Sequence, residues 1–142
     1  MTYLKQGKSD RALKYFNKSF DIRFNKFGKD HPDVAMSYDG MAIVYTSQRK
    51  YDEALEYHNK ALDIRINICG KDHPDVAISY VYVAINYKFQ NKYDIALECY
   101  NKSFNIYKKK LGTTHPETID TLKELLTLRR EIAARENQLY EK

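Results

Sequence analysis

Gly28, Gly70 and Gly112 stand 42 residues apart in this chain of 142, and the dipeptides His31-Pro32, His73-Pro74 and His115-Pro116 keep the same step. Laid over residues 70–111 without a gap, residues 28–69 match at 23 of 42 positions. Gln6, Gln48 and Gln90 fall on one another in that register, as do Ala12-Leu13, Ala54-Leu55 and Ala96-Leu97. A fixed period of this size marks a repeat architecture, in which each unit has an apolar face that only a neighbouring unit can cover.

Each period holds two helical patterns. Ala35, Tyr38, Met41, Ala42 and Tyr45 recur at spacings of three and four, one face of a helix at about 32–48. Ala54-Leu55, His58, Ala61-Leu62 and Ile66 mark a second helix at about 52–69. Only Arg49-Lys50-Tyr51 lie between the two, so they form an antiparallel hairpin. Glycine at 28, 70 and 112 supplies the left-handed position that ends a helix. Proline at 32, 74 and 116 suits a first helical turn, where its missing N–H costs nothing. Asp30, Asp72, Thr114 or the adjacent histidines are the candidate N-caps. The periodicity thus predicts an all-α fold: a right-handed α-solenoid of antiparallel helical hairpins with a long C-terminal capping helix. The helices fall at about 10–27, 32–48, 52–69, 74–90, 94–111 and 116–140. Residues 1–142 read as one domain, with a partial repeat at 1–27, repeats at 28–69 and 70–111, and the capping helix within 112–142.

Tyr38…Met41-Ala42…Tyr45…Ala54…His58…Ala61 resembles the tetratricopeptide signature, and Tyr80…Val83-Ala84…Tyr87…Ala96…Tyr100…Ser103 repeats it. The 42-residue unit, with Gly-Lys-Asp-His-Pro-Asp-Val-Ala and Gln-x-Lys-Tyr-Asp-x-Ala-Leu, looks like the repeats of kinesin light chain over residues 1–118. The resemblance implies a non-catalytic scaffold that binds a partner peptide or helix on its concave face. Kinesin light chain repeats typically carry Asn-Asn-Leu-Ala in the first helix of each pair, with the asparagines in the cargo groove. Here those stretches read Asp39-Gly40-Met41-Ala42 and Val81-Tyr82-Val83-Ala84. The carboxylate clamp of chaperone-tail-binding relatives is likewise replaced, by Met36, Asp39 and Ile43 and by Ile78, Val81 and Ile85.

In this register Asp39, Ile43, Val81, Tyr82, Ile85 and Phe89 are the candidate partner-binding residues. Ile78, Val81, Ile85 and Phe89 form a second apolar stripe beside the core stripe of Tyr80, Val83, Ala84 and Tyr87. A helix apolar on two sides is either sandwiched or exposes a binding surface. Lys88, Lys123 and Arg130 project onto the same wall, positioned to read acidic residues beside an apolar anchor. A structural or self-associating segment of a longer repeat protein is the rival role.

Composition narrows the remaining classes. Lys and Arg number 24 against 19 acids, a formal charge of +5, but no basic stripe points to nucleic acid. The run Lys108-Lys109-Lys110 sits at a helix C-terminus, where cations complement the helix dipole. No apolar run approaches the roughly 20 residues of a membrane span, so no membrane role is expected. Nothing at the N-terminus resembles a secretory signal, and Cys69 and Cys99 form no metal or redox motif. The chain reads as cytoplasmic, without cofactor. The aligned histidines, about one helix-packing distance apart, do not converge on one metal ion. With no nucleophile–base pairing or phosphate loop, no catalytic residue is assigned.

The ends complete the expectations. Leu13, Phe16, Phe20, Phe24 and Phe27 share one side of the 10–27 helix, whose repeat partner would occupy positions before Gln6. Phe16 and Phe20 are therefore candidates for self-association, or for contact with further repeats at an open N-terminus. Leu122, Leu125, Leu126 and Leu128 beside Arg129, Arg130, Glu131, Arg135 and Glu136 suit a polar-backed cap.

Overall fold

The computed structural model describes residues 3–141, which form α1 (Tyr3–Phe27), α2 (Pro32–Ser47), α3 (Tyr51–Cys69), α4 (Pro74–Phe89), α5 (Tyr93–Leu111) and α6 (Pro116–Glu141). No strand occurs among the described residues. Five helices fall within two residues of the boundaries that the periodicity predicts. α1 starts about seven residues earlier, because no proline interrupts the stretch after Tyr3. Met1 and Thr2 lie outside the described residues.

The repeated His-Pro pair starts three helices by one device. Nδ1 of His31 accepts the N–H of Asp33 at 3.1 Å, His73 does the same for Asp75 at 3.1 Å, and His115 for Glu117 at 3.2 Å. Each histidine thus caps an otherwise unsatisfied first-turn donor. The glycine that ends the preceding helix has φ of 81°, 82° and 88° at 28, 70 and 112. At Gly70 and Gly112 ψ is 171° and 166°, outside the left-handed helical well and in a region essentially reserved to glycine.

The turns within the hairpins close differently. Arg49 N–H reaches the Thr46 carbonyl at 3.0 Å and Lys50 N–H the Tyr45 carbonyl at 2.9 Å. Asn91 and Lys92 repeat the pair on Lys88 and Tyr87 at 3.0 and 2.9 Å. This is a Schellman motif, and it holds Arg49 and Asn91 at φ of 62° and 61°.

Packing divides the helices into two compact units, the first ending at Lys71 and the second beginning at Asp72. In the first, α2 packs against α1 and α3. Val34, Ala35, Ala61 and Ile64 form its core, with Phe20 and Tyr38 laid against it. Gly40, in the middle of α2, lies under the Phe16 ring of α1, which a β-carbon at this position would overlap. Arg23 adds a bond from Nη1 to the Ser37 hydroxyl at 2.8 Å. Phe16 and Phe20 rest against α2 and are half-buried, while Phe24 and Phe27 on the same side of α1 are 41% and 40% exposed. The apolar residues that α1 leaves most open are Tyr15 and Ile22, 63% and 68% exposed.

In the second unit, α5 packs against α4 and α6. Val76, Ala77, Ala84 and Ala96 are fully buried, small enough to let the helices approach closely. Ser103 donates to the Ala77 carbonyl at 2.9 Å and ties α5 to α4. The long α6 buries Thr118, Thr121, Leu125 and Leu128. Arg135 then fastens its distal half: the guanidinium lies 3.9 Å from the Tyr93 ring centre and Nη2 donates to the Tyr93 hydroxyl at 2.7 Å. Arg129, Arg130 and Glu136 are exposed on α6, and so are Ile119, Leu122 and Leu126.

Candidate partner-binding trough

Three positions change together between the two full repeats. Asp39, His58 and Arg65 of the first become Val81, Tyr100 and Tyr107 of the second. In the first unit the three polar residues form a closed network. His58 Nδ1 donates to Asp39 Oδ1 at 2.8 Å, and Arg65 Nη1 reaches Asp39 Oδ2 at 2.5 Å. Asp39 is 4% exposed. Asp39, expected among the partner-binding residues, is instead buried, with both its oxygens bound inside the hairpin. Ile43 and Met36 are exposed on α2.

In the second unit the same three positions are uncharged, and a trough opens beside them. It comprises two adjoining cavities of about 230 and 510 Å³ that share Val81, Tyr100 and Glu124. One wall is α4, with Ile78, Val81, Tyr82, Ile85, Lys88 and Phe89. Tyr100 and Tyr107 of α5 line the space between the walls, and Asn91 and Tyr93 lie at one end. The opposite wall is the first half of α6, through Glu117, Asp120, Thr121 and Glu124. Five expected residues, Val81, Tyr82, Ile85, Lys88 and Phe89, thus border one space. Lys123 and Arg130 are exposed on α6 but do not line it.

The acidic wall is what the sequence reading missed. Its signal was present: 117, 120, 121 and 124 follow the i, i+3, i+4, i+7 spacing of one helix face. The leucines of the same helix give the stronger pattern. Thr121 turns its hydroxyl to the Glu117 carbonyl at 2.8 Å and adds no charge.

The trough is electrostatically negative next to an apolar surface. Burial pushes the Tyr100 phenol up to about 12, and Glu124 adds to that shift. Tyr107 is likewise pushed up to about 12, by burial first and then by Glu117 and Asp75. A neighbouring carboxylate opposes a second negative charge, so both rings stay neutral hydroxyl-bearing surfaces. Cys99, buried in α5, has its thiol raised by burial, the opposite of an activated nucleophile.

The tetratricopeptide repeat family model matches residues 1–67 and 40–109. No curated protein matches the chain in sequence. Among solved structures, the chain is similar to BtubC (BKLC) from P. vanneervenii, at 19% identity and a TM-score of 0.80. That match covers 89% of this chain and 51% of the other. It is also similar to nearly identical TPR-like repeats from Podosopora anserina. There the identity is 21% and the TM-score 0.73, over 89% of this chain and 60% of the other. The chain thus spans only 51% to 60% of the length of these neighbours, and they share its all-α fold of helical hairpins. With the family model matching most of its length, the chain belongs to the tetratricopeptide repeat family.

Proposed function

We propose that the chain is a non-catalytic adaptor whose second unit holds a segment of a partner protein in the trough between α4 and α6. Residues 1–142 are read as one repeat domain serving that end. One observation carries the proposal: Val81, Ile85 and Phe89 line an open space instead of packing into the core, and Phe89 is 56% exposed. A helix that spends apolar side chains in this way presents an interaction surface. The family supports the reading, since tetratricopeptide repeats generally mediate protein–protein contacts. No helix of the described residues is long and apolar enough to cross a membrane. A cytoplasmic location fits this picture.

A displayed peptide library selected on the wild-type chain tests the proposal, with Val81→Glu and Phe89→Glu as counter-targets. Enriched peptides should lose binding to both variants, while the melting temperature stays near that of the wild type. Enrichment that ignores both substitutions places binding elsewhere and ends the proposal.

A further inference from the structure

We propose that the occupant of this trough is a basic segment, carrying apolar residues for the α4 wall and Lys or Arg side chains for the α6 wall. The inference rests on the trough being the binding site and adds the chemistry of the ligand.

The charges decide it. Glu117, Asp120 and Glu124 line the trough, and none of the three takes part in an ion pair among the described residues. Lys88 is the single cation on the lining. Three carboxylates against one ammonium give a local negative balance in a chain whose formal charge is +5. Lys123 and Arg130, the residues expected to attract an acidic partner, do not line it.

Spacing fits a peptide better than a single ion. On one helix the three acids are spread over about 10 Å at 1.5 Å per residue. The four apolar residues from Ile78 to Phe89 run about 16 Å along α4 by the same rise. A metal ion needs its oxygens at one point, about 2–2.6 Å from the centre. Two parallel rows, one apolar and one anionic, instead fit a segment with an apolar side and a cationic side. Acidic segments are disfavoured, because their carboxylates meet like charge over a surface of low polarity.

Three synthetic peptides test this, sharing the same apolar residues and carrying Lys, Ser or Glu at the intervening positions. Affinity is read by fluorescence anisotropy at low and high salt. The Lys peptide should bind about tenfold more tightly than the Ser peptide at low salt, the Glu peptide should be weakest, and salt should narrow the gap. In a Glu117→Gln/Asp120→Asn/Glu124→Gln variant the Lys preference should vanish, with Ser-peptide affinity and melting temperature unchanged. Lys88→Gln should strengthen Lys-peptide binding.

Equal affinity for all three peptides would overturn the charge assignment while leaving the trough as a binding site, provided Val81→Glu still abolishes binding. A Lys preference that survives in the triple variant would overturn it as well, by placing the attraction elsewhere. If none of the peptides binds, both the chemistry and the site are wrong.

Discussion

His58 Nδ1 lies 2.8 Å from Asp39 Oδ1, with both side chains almost fully buried and Arg65 bound to the carboxylate's other oxygen. The following repeat builds the same three positions from Val81, Tyr100 and Tyr107, and that substitution accompanies its open trough. A buried ion pair is costly to break and often cheap to replace as a whole. Asp39→Ala should therefore destabilise the first unit by roughly 3 kcal/mol. Asp39→Val/His58→Tyr/Arg65→Tyr, copying the second repeat, should recover most of that loss. Urea titrations of the wild type and the two variants measure the recovery. If the triple variant is as unstable as Asp39→Ala, the two repeats are not interchangeable here.

Gly40 is fixed by packing, since an isolated glycine in a helix costs about 1 kcal/mol relative to alanine. Gly40→Ala should nevertheless lower stability by about 1–2 kcal/mol, because its methyl group meets the Phe16 ring and overpacking outweighs the propensity gain. Adding Phe16→Leu should reverse the sign of the Gly40→Ala effect. Denaturant midpoints of the double-mutant set provide the check.

Arg49 occupies the left-handed position of its turn at φ 62°, where side chains other than Asn are rare and glycine is at ease. The matching residue of the second hairpin is Asn91, at φ 61°. Arg49→Asn should stabilise by about 0.5–1 kcal/mol, and Arg49→Gly by less, because glycine also loosens the unfolded chain. Thermal melts rank the three, and a loss of stability in Arg49→Asn would show that the arginine side chain contributes something else.

Tyr100 and Tyr107 provide a pH test. Both phenols are raised from 10.0 to about 12 in the folded chain, mainly by burial. Between those values the folded state keeps protons that the unfolded state has released. Their contribution is therefore fully present below pH 10 and lost as pH rises from 10 to 12. Absorbance of tyrosinate should show a late-titrating fraction among the 13 tyrosines, smaller in Tyr100→Phe/Tyr107→Phe. That variant should also lose less stability above pH 10 than the wild type.

The repeat, the helices and most of their ends are legible in the residues alone. Those features depend on local chemistry. His-Pro starts a helix with a side chain two residues from its backbone partner, glycine ends one through its own φ, and spacings of three and four define a face. The stripe from Ile78 to Phe89 was legible for the same reason. What each face meets depends on contacts between helices far apart in the chain. Phe16 and Phe20 lie on a face that periodicity marks as apolar, and it is α2, through Gly40 and Tyr38, that takes up part of it. Asp39 has no sequence neighbour to betray its burial, because its partners lie 19 and 26 residues away. Glu117, Asp120 and Glu124 spell an acidic face in sequence, but their meaning comes from the apolar wall of α4 across the trough. Side-chain identity and period set which residues share a face, while through-space packing sets which faces close and which stay open to a partner.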